Sequence, residues 1–182
     1  MFALRESGRP NRPAGVYAVA FVDYLGGSVL TYHELLVARL LRNRSAPRVR
    51  ITDTWVDSAE SRAGGRSLWA IPKQLADLPL HVENEGSRVH TSFRGEAGGV
   101  AIASAVFTSR PWAALLPLPF ASATSQLRDD DTEVLTRFRG HVRGVPCHAR
   151  WRFDADGPLG WLHSRRPLVS MHLVEARTSF GG

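Results

Sequence analysis

Lysine and cysteine are both scarce in this chain. Of its 182 residues, 22 are arginine, whereas Lys73 is the only lysine and Cys147 the only cysteine. A single cysteine excludes a disulfide within the chain and is typical of proteins kept in a reducing compartment. We therefore expect a cytoplasmic protein, and at this length its core can be large enough to need no cross-links.

Long apolar runs are also missing. The most apolar stretch, WAALLPLPFA at residues 112–121, is short and contains two prolines. A membrane-spanning helix needs about 20 apolar residues, so this stretch does not qualify. The N-terminal sequence MFALRESGRPNRPAG has no apolar segment of the kind found in signal peptides. We expect no association with a membrane.

Motifs for nucleotides, cofactors and metals are absent as well. The sequence contains no G-x-G-x-x-G, P-loop or G-x-S-x-G motif. The closest group of metal-ligand residue types is His141, Cys147 and His148, whose spacing fits no common zinc site. We predict neither a cofactor nor a metal.

Negative charge is in the minority, which gives a formal net charge of +6 and a pI of about 10.6. A basic pI raises the question of nucleic acid. The arginines, however, are spread through the predicted strands, and the densest groups are as small as Arg165–Arg166. We therefore predict no nucleic-acid partner. Two interpretations of the arginines stay open: a compositional bias on a solvated surface, or the attraction of an anionic small molecule.

The hydrophobic pattern predicts mainly strands. GVYAVAFVDY from Gly15 and RVRITDTWV over Arg48–Val56 alternate as half-buried strands do. The segment SVLTYHELLVARLLR has both strand and helix features, and we favour a strand. Glu85-Gly86 has the character of a hairpin turn between two short strands. Further strands are predicted at Val100–Thr108, Ala121–Leu127, Glu133–Arg139, Val145–Phe153 and Leu168–Phe180.

Helical signals are confined to one region. Asp57, followed by Glu60, resembles a helix start, Ala63–Gly65 interrupts it, and Arg66–Ile71 forms a short helix or turn that Pro72 ends. The whole predicts an α+β protein, mainly antiparallel, with a sheet curved or closed into a β-barrel and a few short helices. Residues 1–14 are predicted to be a flexible arm, and residues 15–182 a single domain.

The lone lysine has a chemical interpretation. Arginine stays protonated near neutral pH, so it cannot serve as a nucleophilic amine as lysine can. Trp69, Ile71, Pro72 and Leu75 surround Lys73 in the sequence, and an apolar environment disfavours a charged amine. A composition that replaces lysine by arginine would spare a position that needs a neutral amine. The alternative is that Lys73 survives by chance at the surface.

Two sequence blocks, DTWVDSAESRAGGRSLWAIPKQLADL and TYHELL, together resemble the acetoacetate decarboxylase superfamily. The first contains Gly65-Arg66, then an apolar and aromatic segment, then Pro72-Lys73. The second is similar to the family's Tyr-x-Glu segment and places Glu34 before the lysine at the family's order of separation. The resemblance covers about residues 15–78 and is weaker beyond them. It implies the acetoacetate decarboxylase-like fold and, as the family tends to show, a homo-oligomer.

The resemblance also implies roles for individual residues. Lys73 would form a Schiff base with a small keto acid, and Glu34 would be its acid–base partner. The reaction would be a decarboxylation, or an aldol, dehydration or cyclisation step in a biosynthetic pathway. Desolvation of a lysine, or a neighbouring cation, is the general means by which acetoacetate decarboxylase activates its amine. Residues expected to contact the substrate are Tyr32, Arg66, Trp69 and Gln74.

Departures from the family pattern leave a second interpretation open. Family decarboxylases carry a second lysine directly after the first, and this chain has Gln74 there. Ser67 stands where an acidic residue commonly follows the Gly-Arg pair. Arg66 or Arg110 could hold a substrate carboxylate. The alternative to a Schiff-base enzyme is a non-catalytic protein that retains the fold and binds a small molecule.

Overall fold

The computed structural model describes residues 1–4, 12–41, 48–114 and 116–181. These residues form two compact units. Unit 1 consists of Met1–Leu75, Ala121–Arg139 and Ser179–Gly182, and unit 2 of Ala76–Phe120 and Gly140–Thr178. Both units combine segments that lie far apart in the sequence. The single domain expected over residues 15–182 stays a prediction.

The described residues are mostly in strands and contain one α-helix, α1 (Ala59–Trp69), and two single-turn 3₁₀ helices, Pro111–Ala113 and Gly160–Leu162. The strands are β1 (Phe2–Leu4), β2 (Gly15–Tyr24), β3 (Tyr32–Leu41), β4 (Arg48–Val56), β5 (Lys73–Leu75), β6 (Leu80–Glu85), β7 (Arg88–Ala97), β8 (Val100–Ser109), β9 (Leu118–Leu127), β10 (Glu133–Pro146), β11 (His148–Phe153) and β12 (Met171–Phe180).

Two sheets account for these strands. The first has eight strands in the order β1-β2-β3-β4-β9-β10-β12, with β5 paired to β4, and the second has the order β11-β8-β7-β6. Pairing is mostly antiparallel, while β4 pairs in parallel with both β5 and β9. The mainly antiparallel α+β prediction is confirmed. Over the described residues neither sheet closes on itself, so the curved sheet is the appropriate description and the barrel is not.

The segment SVLTYHELLVARLLR, which has both strand and helix features, contains strand β3. Its Leu35 and Val37 are fully buried, as the alternation of a strand requires, and it is paired antiparallel with β2 on one side and β4 on the other. The register shifts between Val37 and Ala38, which is a bulge. The helical spacing of ELLVARLL is overridden because both edges of this strand are hydrogen-bonded.

Helix α1 differs from the prediction in two respects. It is capped by Ser58, whose hydroxyl accepts from the Ser61 amide, and not by Asp57. It also continues through Ala63–Gly65, where we expected an interruption. The helix ends at Ala70, in a left-handed conformation (φ 53°), just before Pro72. Packing of this helix outweighs the poor helix propensity of its glycines.

Three residues of the predicted flexible arm belong to the first sheet. Phe2–Leu4 pairs with Gly15–Tyr17 as β1, and the side chains of Phe2 and Leu4 are buried. Apolar side chains at alternate positions give this short segment one face to bury. Of the rest of the arm, residues 5–11 lie outside the described residues, and Arg12 forms an ion pair with Asp53 of β4.

Unit 2 contains the second sheet. Its predicted hairpin is confirmed, because β6 and β7 pair across Gly86, which has φ +56°. The predicted strand Val145–Phe153 is wrong as one strand: β10 ends at Pro146 in the first sheet, and β11 begins at His148 in the second. The Cys147 amide between them donates to Ser170 O. No helix among the described residues is long and apolar enough to cross a membrane.

A histidine of unit 2 predicts how the stability changes with pH. His172 Nδ1 lies 2.7 Å from the hydroxyl of the buried Ser109, and burial lowers the pKa of His172 below its ordinary value. The unfolded chain therefore binds the proton more tightly than the folded chain. The stabilisation is complete above about pH 6.5 and decreases as the pH falls through that value towards the folded pKa.

Urea unfolding of the wild type and of His172→Gln, over about pH 7.5 to 5, measures this contribution. The free energy of unfolding of the wild type should decline relative to that of the variant as the pH falls. A constant difference across the range would contradict the assignment.

Candidate active site

The lone lysine lies inside unit 1, on the face of the first sheet that α1 covers. Lys73 is the first residue of β5 and is only 3% exposed. In the parallel pairing of β4 and β5 it stands beside Thr54, and Glu34 is on β3, the next strand along. Three neighbouring strands thus direct Glu34, Thr54 and Lys73 to one buried place.

The amine of Lys73 has three hydrogen-bond acceptors. Its Nζ donates to Glu34 Oε2 at 2.9 Å, to Ser61 Oγ at 2.9 Å and to Tyr32 OH at 3.2 Å. The same atom lies 5.0 Å from the centre of the Tyr32 ring. An ammonium group has three donors, so each finds a partner here although the group is out of water.

Glu34 is held as firmly as the amine. Its Oε1 accepts from Thr54 Oγ1 at 3.0 Å, and its Oε2 accepts from Tyr32 OH at 3.1 Å as well as from the amine. The side chain of Glu34 is 3% exposed. A buried carboxylate is tolerated because it is both paired and hydrogen-bonded, and removal of one partner from such a pair costs about 3–5 kcal/mol.

A second tyrosine responds to the charge of Glu34. Tyr24 is paired with Tyr32 across β2 and β3, and their rings stack with centroids 4.3 Å apart. Burial raises the pKa of Tyr24 strongly, and the negative charge of Glu34 adds to the effect. Tyr24 therefore stays a neutral phenol beside the carboxylate.

Helix α1 closes the site from the other side. Its first turn is fixed by the Ser58 cap and carries Ser61, whose hydroxyl accepts from the amine. One turn later, Gly65 lies against the lysine stem: a Cβ at this position would stand 2.7 Å from Lys73 Cδ and 2.8 Å from Cε. The absence of a side chain at Gly65 is what lets the lysine pass under the helix.

The structure brings together three of the predicted site residues, Lys73, Glu34 and Tyr32. The exposed Arg66 does not reach the amine, and its guanidinium donates to Lys73 O at 3.2 Å. Gln74 is exposed, and its side chain lies on the face of β5 opposite to that of Lys73. Trp69 stacks on Phe180, with centroids 5.4 Å apart. Arg110, the other candidate carboxylate ligand, is exposed in unit 2.

Sequence reasoning missed Ser61, Thr54 and Tyr24. Thr54 alternates with Asp53 and Trp55 in β4 like any strand residue, and Ser61 lies in a helix turn rich in small polar residues. Neither residue type nor spacing marks them. Tyr24 could have been found, because it alone of the three is aromatic and lies near the Tyr-x-Glu segment. Ser61 enters the site through its contact with Lys73, 12 residues away, and Thr54 through its contact with Glu34, 20 residues away.

The chain matches the family model for acetoacetate decarboxylase over residues 9–157. It therefore belongs to the acetoacetate decarboxylase family. Comparison with curated proteins gives no significant match.

Solved structures with a similar fold include an acetoacetate decarboxylase-like enzyme from Sphingomonas wittichii RW1, with 13% identity, a TM-score of 0.53 and coverage of 81% of this chain and 64% of that one. A structure from studies of acetoacetate decarboxylase has 14% identity, a TM-score of 0.51 and coverage of 85% and 70%. The enduracididine biosynthesis enzyme MppR, complexed with the condensation product of pyruvate and imidazole 4-carboxaldehyde, has 16% identity, a TM-score of 0.47 and coverage of 82% and 60%. The present chain thus spans 60% to 70% of the length of these solved chains.

Adjacent glycines of α1 offer a test of the packing around the lysine. Gly64→Ala meets nothing within 4 Å, and alanine is the better helix former, so we expect stabilisation of up to about 1 kcal/mol. Gly65→Ala places its new methyl group against the lysine stem, and we expect net destabilisation of about 1–3 kcal/mol. Chemical denaturation of both variants measures the difference. Equal stabilisation by the two changes would show that the lysine does not run beneath Gly65.

Proposed function

We propose that this protein is a lyase that forms a Schiff base between Lys73 and a small keto acid. The observation that carries the proposal is the buried contact of 2.9 Å between the only ε-amine in the chain and Glu34. Membership of the acetoacetate decarboxylase family supports it. The proposal has two parts: the substrate is a small keto acid, and this substrate forms an iminium with Lys73.

The first step would be a proton transfer within the ion pair. Glu34 Oε2 takes one proton from the ammonium group, which leaves a neutral amine and a neutral carboxylic acid. The nitrogen lone pair attacks the keto carbon and forms a carbinolamine. Glu34 then returns its proton to the departing hydroxyl, water leaves, and an iminium forms between Lys73 and the substrate.

The iminium would then act as the electron sink. In a β-keto acid, the bond between the α-carbon and the carboxylate breaks, carbon dioxide leaves, and its electron pair becomes the double bond of an enamine. In a 2-keto acid, Glu34 can instead remove a proton from the carbon next to the iminium, and the enamine attacks an aldehyde in an aldol step. Tyr32 and Ser61, which both contact the amine, are suited to hold the substrate oxygen during these steps. After decarboxylation, the enamine takes a proton from solvent at its carbon and becomes an iminium again; after the aldol step, Glu34 returns its proton to the new alkoxide. Water then hydrolyses the iminium and releases the product from Lys73.

A second candidate function is reversible binding without catalysis. It is favoured by the fact that all three amine donors are already satisfied, by Glu34, Ser61 and Tyr32, and by the presence of Gln74 instead of a second lysine. An ion pair of this kind can stabilise a fold without reacting. The two candidates differ in whether a covalent adduct forms.

Borohydride trapping distinguishes these candidates well, because the chain has a single ε-amine. We expect incubation with pyruvate or acetoacetate, followed by reduction, to add the mass of the reduced adduct to the Lys73 peptide. Lys73→Arg keeps the charge but has no nucleophilic amine, so the adduct should disappear. Peptide mass spectrometry locates the label and separates it from reaction at the N-terminal amine.

A further variant and a further measurement complete the borohydride-trapping test. The double variant Lys73→Met/Glu34→Gln removes both buried charges together, so its thermal unfolding shows whether loss of the adduct reflects loss of the fold. A shift in the thermal midpoint by a keto acid, with no adduct on Lys73, would refute the enzyme and favour the binding protein.

Glu34→Gln tests the acid–base role separately. The amide keeps an oxygen next to the amine but cannot exchange protons near neutral pH, so turnover of the trapped keto acid should fall by roughly 10²–10⁴-fold. Prolonged incubation should still label Lys73. Glu60→Gln, at an exposed carboxylate in the first turn of α1, is the matched control and should leave turnover unchanged. Full turnover in Glu34→Gln would remove Glu34 from the mechanism.

A further inference from the structure

Unit 2 contains a cleft of about 770 Å³ that shares no residue with the lysine site. Four of its thirteen lining residues are arginines, and the only acidic residue among the thirteen is Asp154. Its volume lies in the range typical of small-molecule sites. The arginines are Arg94, Arg152, Arg165 and Arg166.

Two of these arginines are aligned by the second sheet. Arg94 on β7 and Arg152 on β11 are both paired with Ser104, which lies between them on β8. Residues directly opposite one another in neighbouring strands share a face of the sheet. The small side chain of Ser104 leaves open space between the two long cationic side chains.

A short segment brings the other two arginines to the same cleft. His163 anchors this segment, because its Nδ1 lies 2.8 Å from Phe153 O at the end of β11. Ser164 has φ +62°, a left-handed conformation that few residues other than glycine adopt. The turn places Arg165 and Arg166 in the lining. The buried Leu162 precedes the segment and fixes it to the core.

The positive charges of these four arginines have few acidic partners or hydrogen-bond acceptors within the described part of the chain. The Arg94 guanidinium has one exposed ion pair, with Glu96 at 3.5 Å, and the Arg165 guanidinium has one hydrogen bond among the described residues, to the Trp161 carbonyl at 3.4 Å. The guanidinium groups of Arg152 and Arg166 make no ion pair or hydrogen bond with the described residues. Four arginines and a single acidic residue in the lining give this cleft an excess of positive charge, which attracts an anion.

We propose that this cleft binds a small molecule with clustered anionic oxygens, such as a diphosphate or a tricarboxylate. The planar fork of arginine matches both groups with paired hydrogen bonds, which lysine does not. The proposal does not depend on Schiff-base chemistry at Lys73.

Isothermal titration calorimetry of the full chain with inorganic pyrophosphate and with citrate tests this site. We expect one site per chain, and the tighter of the two probes assigns the ligand to phosphates or carboxylates. Arg152→Gln or Arg166→Gln should weaken binding about tenfold, and the double variant on the order of a hundredfold. All four arginines are exposed, so these variants should keep the fold, which circular dichroism checks.

Arg88→Gln is the matched control, because Arg88 is exposed on β7, the strand that carries Arg94, but lies outside the cleft. It should change affinity by less than about twofold at physiological salt. Equal weakening by Arg88→Gln and Arg152→Gln would overturn the proposal, since it would indicate attraction by net charge alone. Binding of a single-stranded oligonucleotide but of neither small anion would overturn it as well.

Discussion

The structure around the site depends on one buried ion pair. Lys73 and Glu34 are each about 3% exposed, and desolvation of two charges is expensive unless both are fully paired. Every neighbouring element contributes to that pairing: β3 through Tyr32, β4 through Thr54, and α1 through Ser61. The parallel pairing of β4 with β5, joined by α1, is the arrangement that places these groups around one amine.

Local sequence fixes the entry of the lysine into this site. Ser58 begins the helix, Ala70 ends it in a left-handed conformation, and Pro72 prevents its continuation, so that Lys73 can begin a strand. The two glycines of α1 therefore have different structural roles. Gly64 faces open space, whereas Gly65 is required by the close approach of the lysine stem. The helix tolerates both because its other contacts compensate for their low propensity.

Sequence reasoning was most successful where a pattern is local. The alternation in β2 and β4 and the hairpin at Gly86 are read from neighbouring residues, and the structure confirms them. It failed where partners are distant. The change of sheet after Pro146 depends on long-range strand pairing. Ser61 and Thr54 join the site for the same reason.

The geometry also explains why this position is lysine in a chain that otherwise uses arginine. A guanidinium group is larger than an ammonium group and carries five donors in a plane, while the site offers acceptors on Glu34, Ser61 and Tyr32. Arginine would leave donors unpaired out of water and would crowd the stem beneath Gly65. Packing therefore requires a lysine here with or without catalysis. The proposed reaction would begin with the movement of a single proton across the 2.9 Å to Glu34.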